Sequence, residues 1–360
     1  MPQLPGLGGR GGALRDGGGQ RPEPARQGSP HQVERVHCAR VPARDRPPRW
    51  RSVHRPADEH RHAEAHRRAG DRSAGSRGRS GVGLGAFLKI VFIGTATFAV
   101  PSLRALHAAG HSMPLVVTQP DRPGHRMKVT PPSVKTAALE LGLEIYQPER
   151  IKDSKVVARL QAIAPELIVV VAYGQIIPPS ILSIPPHGVV NVHASLLPRH
   201  RGAAPVAHTI LAGDRQTGVT IMRMDEQLDH GPILATRTVA IEPHEEAAEL
   251  TRRLSEVGAA LLMETVARLD EIEAVEQDHG RASIAPRLSR ADGELEWSLG
   301  AEEIDRRVRA LQPWPGVTLP TKRGRVKVLS GHIDGDRYVP DVVQVPGRRP
   351  APAAQVLGDA

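Results

Sequence analysis

Apolar runs and segments of helical spacing alternate along the chain from residue 88 onward. The run LKIVFIG (88–94) ends at a glycine, and FAVPSLRALHAAG (98–110) follows with apolar positions at helical intervals and a glycine stop. ELIVVVAYG (166–174) carries five consecutive apolar residues, which is typical of a strand covered on both faces. The next strand is predicted in HGVVNVHASL (187–196). This alternation predicts a doubly wound, Rossmann-like parallel α/β sheet.

The pattern changes in the second half of the chain. Pro205 is placed to begin a helix that Gly213 ends, and residues 217–241 predict two strands around an acidic loop. Helical spacing resumes over residues 245–272. The stretch 275–294 is irregular and is interpreted as a linker. A short helix and short strands after it predict a second, smaller domain.

The first 85 residues differ from the rest in composition. They hold 17 Arg, no Lys and 8 acidic residues, a net charge of +9 that equals the excess of the whole 360-residue chain. The basic balance therefore says nothing about a nucleic-acid partner of the folded part. Rich in Gly, Pro and Arg and without apolar periodicity, residues 1–87 are predicted to form a disordered tail. A second hypothesis is that this segment is GC-rich DNA translated upstream of a start at Leu88.

Two features of this tail concern metal and redox chemistry. His60, His62 and His66 form a cluster, but no scaffold fixes ligand geometry, so polar side chains in a tail are the simpler interpretation. Cys38 is the only cysteine, which excludes a disulfide framework and fits a reducing cytoplasm. The tail lacks the apolar core of a signal peptide, and no run in the chain approaches the roughly 18 apolar residues that cross a membrane.

Candidate chemistry gathers after the strand at 187–196. Asn191 and His193 lie two residues apart, so they project from the same strand face, near the carboxyl end where α/β sheets bind ligands. An amide donor beside an imidazole suits acyl transfer, although a strand-end histidine with a structural role explains the pair equally well. Asp229 is the expected third member, with Asp225 in the same loop as its competitor. No nucleophile elbow is present, which favours direct transfer between two bound substrates.

NVHASLLPRHRGAAPV (191–206) and MDEQLDHGPIL (224–234) together resemble the signature of the folate-dependent formyltransferase family. Three further segments resemble the methionyl-tRNA formyltransferases within it. They are VFIGTATFAVPSL (91–103), VVTQPDRPGHRMKVTPPSVK (116–135) and WSLGAEEIDRRVRALQPWPGV (297–317). The resemblance runs from about residue 88 to 330, in order and at the family's spacing. The chain departs from the pattern at His200, where Tyr is common, and at His230, where Thr is common.

The resemblance implies a function and three groups of site residues. The catalytic group is Asn191, His193 and Asp229. The group that lines the folate site is Ser195, Leu196, Leu197 and Pro198, and the group that contacts tRNA is Arg126 and Lys128. The implied cosubstrate is 10-formyltetrahydrofolate and the implied acceptor is initiator methionyl-tRNA. No metal, no membrane partner, a monomeric chain and a cytoplasmic location are expected with them.

The resemblance also assigns roles to the domains. Residues 88–274 are expected to form the formyltransferase catalytic domain and 275–294 the linker. Residues 295–360 are expected to form a carboxyl-terminal, OB-like β-barrel that binds tRNA. Only 31 residues follow Leu329, fewer than the family's barrel normally uses, so an incomplete barrel is expected.

The sequence also offers three alternative interpretations. A dinucleotide site at GTATFA is disfavoured, because one glycine stands where the fingerprint needs three. A folate-dependent formyltransferase that acts on an amino-sugar nucleotide or a purine precursor would not need the basic loop or the carboxyl-terminal segment. From another class, the chain could be a non-catalytic RNA-binding protein that acts through its Arg-rich tail.

Overall fold

The computed structural model describes residues 87–123, 129–322 and 324–357. The predictions made for residues 1–86, including those for Cys38, therefore concern a part of the chain outside the described residues.

The secondary structure follows the alternation expected from the apolar pattern. The strands are β1 (Lys89–Gly94), β2 (Ser112–Val117), β3 (Arg122–Pro123), β4 (Val129–Thr130), β5 (Ile145–Tyr146), β6 (Leu167–Val171), β7 (Val189–His193), β8 (Arg201–Gly202), β9 (Gln216–Arg223), β10 (Ile233–Ala240), β11 (Ile284–Ala285), β12 (Val317–Thr321), β13 (Gly324–Asp334), β14 (Arg337–Gln344) and β15 (Ala351–Pro352). The helices are α1 (Val100–Ala108), α2 (Ser133–Glu140), α3 (Ser154–Ile163), α4 (Pro179–Leu182), α5 (Pro205–Leu211), α6 (Ala247–Ala267), α7 (Ala301–Leu311) and α8 (Ala353–Leu357).

Within the described residues, seven strands form one sheet in the order β10-β9-β7-β6-β1-β2-β5. The strands from β7 to β5 are parallel, and β9 and β10 extend the β7 edge in antiparallel pairing. The chain moves outward from β1 through β2 to β5 and then returns to β6 on the other side of β1. This reversal of strand order is the point at which α/β sheets open a ligand crevice. The predicted doubly wound α/β fold is confirmed.

Both faces of the sheet are covered. Ile90 and Phe92 of β1 join the apolar cluster beneath α1 and α6, whereas Val91 and Ile93 join the cluster beneath α3. The alternation follows from the two-residue period of a strand. All five residues of β6 are buried, as its unbroken apolar run predicts.

The long helix and the helix at Pro205 begin for identifiable reasons. Pro205 is the first residue of α5, where its missing N–H has no partner to lose. The helix α6 begins after Glu246, whose side chain accepts the backbone N–H of Glu249 while the Glu249 side chain accepts that of Glu246. No helix in the described residues is long and apolar enough to span a bilayer.

A smaller domain follows at the carboxyl end. Its described strands form an antiparallel sheet in the order β12-β13-β14-β15, and α7 packs on it through Ile304, Val308 and Leu311. The predicted β domain after the α/β domain is confirmed in this form, as a four-stranded sheet.

The segment predicted as a linker, 275–294, packs on the α/β domain. Val275 pairs with Ile233 at the start of β10, and β11 pairs in parallel with β8. Gln277 between them is 5% exposed. This packing brings the segment against the loops that follow β7 and β9.

Candidate active site

Asn191 and His193 emerge from the carboxyl-terminal half of β7, which lies between β6 and β9. Because successive residues of a strand point to opposite faces, Val190 and Val192 enter the core while the two polar side chains share the other face. Both polar residues are buried, at 8% and 5% exposure. Buried polar groups need partners, so their contacts define the site.

Asp229 completes the cluster from the loop between β9 and β10. Its Oδ1 lies 3.5 Å from Asn191 Nδ2, and its Oδ2 lies 3.6 Å from His193 Nδ1. Its backbone has φ +46°, a left-handed conformation that Asp tolerates better than most residues. The backbone N–H of Gly202 donates to Asp229 Oδ2 at 2.8 Å. The structure therefore brings together the three residues predicted as the catalytic group.

Asp225, the competing carboxylate, has other partners. Its Oδ2 lies 2.6 Å from His230 Nδ1, and its Oδ1 accepts the backbone N–H of Gln227 at 2.9 Å. In the described residues it makes no ion pair with His193, whereas Asp229 lies beside that ring. Asp225 shapes the loop and Asp229 faces the imidazole.

The tautomer of His193 follows from its second contact. Nε2 lies 2.9 Å from the carbonyl oxygen of His200, and a carbonyl oxygen can only accept, so Nε2 carries the proton. In the neutral ring, Nδ1 is then the bare nitrogen that faces Asp229. His193 can accept a proton at Nδ1, and the resulting N–H would point at the Asp229 carboxylate.

The loop after β7 is held by its own hydrogen bonds. Ser195 is fully buried, and its hydroxyl donates to the carbonyl of Arg199 at 2.7 Å. Leu197 is buried too, and its N–H donates to Thr220 Oγ1 at 3.1 Å. Leu196 and Pro198 keep partly exposed side chains. The prediction that Ser195, Leu196, Leu197 and Pro198 line a folate site stays a prediction.

His200 contributes to the same loop. Its backbone has φ +58°, and its Nε2 donates to Asp214 Oδ2 at 2.8 Å. Arg199 binds the other Asp214 oxygen at 2.7 Å. Burial lowers the pKa of the His200 imidazole, and the hydrogen bond to Asp214 opposes that shift. The loop is therefore shaped partly by His200, which also presents its carbonyl to His193.

Three residues that surround the Asp229 loop are not among the predicted site residues. Arg201, 7% exposed, donates through Nε and Nη2 to Gln277 Oε1 at 3.1 and 2.5 Å. Gln277 Nε2 donates to the carbonyls of Asp229 and Gly231 at 2.9 and 2.7 Å. The ring of His279 stacks on that of His230, with centroids 3.9 Å apart. Gln277 and His279 fall in the stretch interpreted as a linker, and no local pattern distinguishes them.

The two residues predicted to contact tRNA, Arg126 and Lys128, lie outside the described residues. Along the chain they fall between β3 and β4, which pair antiparallel. Their role stays a prediction.

Gly202→Ala is expected to destabilise the fold and to reduce turnover. Gly202 has φ +118°, and a Cβ there would lie 2.7 Å from the carbonyl oxygen of Ala285, so the chain must shift. We expect a loss of about 1–3 kcal/mol in the free energy of unfolding, measured by urea titration. Turnover falls as well, because the N–H that holds Asp229 moves.

Gly142→Ala is the matched control for this change. Gly142 also has a positive φ, +68°, but a Cβ there meets nothing within 4 Å. It should lose stability through strain alone and keep its turnover. Equal turnover losses in both variants would contradict the placement of Gly202 in the site.

Comparison with known proteins identifies the family to which this fold belongs. Residues 88–266 match the family model described as formyl transferase, and residues 287–351 match the formyl transferase carboxyl-terminal domain. The fold is thus that of a formyltransferase. A methionyl-tRNA formyltransferase of Roseobacter denitrificans is 44% identical over 259 residues, which cover 72% of this chain and 85% of that protein. The chain belongs to the methionyl-tRNA formyltransferase family.

Solved structures support the fold. Methionyl-tRNA formyltransferase from Clostridium thermocellum superposes with a TM-score of 0.51 at 17% identity, covering 71% of this chain and 98% of that one. WlaRD, a sugar 3N-formyl transferase solved in the presence of dTDP and 5-N-formyl-THF, gives 0.54 at 18% identity. That match covers 70% of this chain and 88% of WlaRD.

Proposed function

We propose that this protein transfers the formyl group of 10-formyltetrahydrofolate to the free amino group of initiator methionyl-tRNA. The observation that carries the proposal is the cluster of Asn191, His193 and Asp229 at the carboxyl end of β7. The cluster offers a hydrogen-bond donor and a proton carrier and contains no hydroxyl or thiol nucleophile. Ser195, the nearest hydroxyl in sequence, is fully buried with its proton committed to Arg199. A direct attack by one bound substrate on the other fits this arrangement.

In the reaction, the neutral α-amino nitrogen of the methionyl ester attacks the formyl carbon. An α-amino group has a pKa of about 7.7–8.0, so a useful fraction is already neutral near pH 7 and no strong base is needed. The formyl oxygen becomes an oxyanion as the new C–N bond forms. The bond between the formyl carbon and N10 of the folate then breaks, and the proton lost by the amine reaches N10. The products are formylmethionyl-tRNA and tetrahydrofolate.

Each residue of the cluster has a separate task in this scheme. Asn191 has two amide hydrogens, and one of them points at Asp229, so the other can donate to the oxyanion. His193 accepts the amine proton at Nδ1, directly or through a water. The His200 carbonyl orients that ring, and Asp229 stabilises the imidazolium until the proton passes to N10.

Charge on the enzyme would hold the acceptor. Arg126 and Lys128 are proposed to contact phosphates near the acceptor end of the tRNA, which makes binding weaken as salt rises. The carboxyl-terminal domain is proposed to add to this contact. We place the reaction in the cytoplasm and expect a monomer.

The test is an incubation with 10-formyltetrahydrofolate and initiator methionyl-tRNA, followed by detection of formylmethionyl-tRNA. A dTDP-linked amino sugar is the competing acceptor. Formylation of the sugar, with none of the tRNA, would overturn the assignment of the acceptor. The high identity to methionyl-tRNA formyltransferases does not favour that alternative.

Deleting residues 1–85 is expected to leave the rate of formylation unchanged. The proposed catalytic cluster and the residues that hold it lie between residues 191 and 279, outside the tail. Residues 86–360 have a net charge of zero, so the deletion removes only the positive charge of the tail. The full chain and the deletion variant are compared in the same formylation assay and by tRNA filter binding. Lost formylation together with lost tRNA binding would favour the tail as the RNA-binding part.

A further inference from the structure

The amide of Gln277 has only one possible orientation. Arg201 donates two hydrogen bonds to one side of it, and a guanidinium has no acceptor, so that atom must be the oxygen. The NH₂ group then faces the carbonyls of Asp229 and Gly231, which can only accept. The Arg201 contacts and the carbonyl contacts require the same orientation of the amide. Rotating the amide by 180° would therefore lose the hydrogen bonds on both sides.

The contacts of Gln277 fix the backbone at Asp229. They involve carbonyls on both sides of His230, in a loop where Asp229 adopts φ +46°. A non-glycine residue in this region persists only when its surroundings hold it there. The backbone at Gly231 also packs closely against Arg223, since a Cβ on Gly231 would lie 2.0 Å from the carbonyl oxygen of Arg223.

Arg201 is itself an unusual anchor. It is 7% exposed, and the described hydrogen bonds of its guanidinium go to Gln277 Oε1 and to His279 Nδ1 at 2.9 Å, which are neutral acceptors. A buried guanidinium needs such partners, because its desolvation is costly. His279 also stacks on His230. The segment 277–279 therefore contacts the Asp229 loop twice, through the Gln277 amide and through the His279 ring.

We infer that Gln277 is a positioning residue for the proposed formyl transfer, and that Arg201 orients its amide. The inference rests on the proposed function. Gln277 is 5% exposed and touches the backbone of Asp229, so it acts on the reaction through the placement of that carboxylate. The segment between the two domains is therefore part of the support of the catalytic loop.

Gln277→Glu is the sharpest test. One oxygen of the new carboxylate can still accept from Arg201. The other oxygen takes the place of the NH₂ group and faces the carbonyls of Asp229 and Gly231, so that acceptor meets acceptor and the two hydrogen bonds are lost. We expect kcat to fall by about 10- to 100-fold, the scale for a misplaced reacting group, with the KM for 10-formyltetrahydrofolate nearly unchanged. Gln277→Met, which removes both sets of contacts at similar volume, should behave in the same way.

Gln344→Glu is the matched control. Gln344 also donates to a backbone carbonyl, that of Arg348, but in the carboxyl-terminal sheet. It should keep the wild-type kcat at saturating methionyl-tRNA, where turnover no longer depends on any tRNA contact of that domain. All variants are assayed well below their unfolding midpoints, with the folded fraction checked by circular dichroism, so that loss of folded protein does not enter kcat.

Crystal structures of the wild type and of Gln277→Glu provide a readout that needs no activity. We expect the Asp229 carboxylate in the variant to move away from His193, beyond its 3.6 Å separation. An unmoved carboxylate, a wild-type kcat, or a loss of kcat explained by unfolded protein would each overturn the inference. A wild-type enzyme that transfers no formyl group would instead refute the proposed function, and the positions of Asp229 would still decide the positioning role.

Discussion

Asp229→Asn is expected to lower kcat for formyl transfer by about 10²- to 10⁴-fold, the usual contribution of a positioned proton carrier. The substitution keeps the size of the side chain and one carbonyl-type oxygen, which can still accept the N–H of Gly202. Asn also tolerates the left-handed backbone at this position. The fold of the loop should therefore survive, and the change removes the negative charge beside His193 together with the oxygen that accepts from Asn191 Nδ2.

The expected loss of kcat is large because of what happens to the amine proton. When His193 takes the proton at Nδ1, the ring becomes cationic in a site where both partners are nearly enclosed. A carboxylate 3.6 Å away stabilises that cation, and a neutral amide does so far less. The proton then stays on the substrate amine, and the tetrahedral species reverts to reactants.

Asp225→Asn is the control for this prediction. It makes the same chemical change in the same loop, at a carboxylate whose partners are His230 and Gln227. Steady-state kcat is measured for both variants with saturating 10-formyltetrahydrofolate and methionyl-tRNA. Similar losses in the two variants, or near-wild-type turnover in Asp229→Asn, would refute the assignment.

Asn191→Ala is expected to lower kcat by about 10²- to 10³-fold, as removal of a single oxyanion donor does in acyl-transfer enzymes. The KM values should change little, because the hydrogen bond strengthens as the formyl oxygen gains charge. Ser195→Ala is the comparison, since Ser195 lies two residues further on and would be the nucleophile of a covalent mechanism. It should retain formyl transfer at saturating 10-formyltetrahydrofolate, with its effect confined to the KM for the folate, and an inactive Ser195→Ala with an active Asn191→Ala would contradict direct transfer.

Asn191 also permits a direct observation. It is the only asparagine among the 360 residues, so protein labelled with ¹⁵N-asparagine gives one side-chain amide signal in NMR. That signal should shift when 5-formyltetrahydrofolate, an unreactive analogue of the donor, is added. An unchanged signal at saturating ligand would place Asn191 away from the formyl group.

Much of this fold is readable from local patterns. The apolar run of β6 and the alternation of β1 predict a sheet covered on both faces, and both clusters form as expected. Asn191 and His193 share a face because a strand has a period of two, which needs no tertiary information. Pro205 and the glutamates at the start of α6 mark helix starts by their local chemistry.

The chain's sequence by itself determined the α/β fold and the pairing of Asn191 with His193, because periodicity and local backbone chemistry act over a few residues. The choice of Asp229 over Asp225 came from a family resemblance, and only the tertiary structure shows a physical ground for it: Asp229 lies beside His193, whereas Asp225 lies beside His230. The tertiary structure also placed Gln277 against the Asp229 loop, 48 residues away along the chain. Such contacts depend on how distant loops meet after the sheet has formed, and a hydrogen bond between residues so far apart leaves no local pattern.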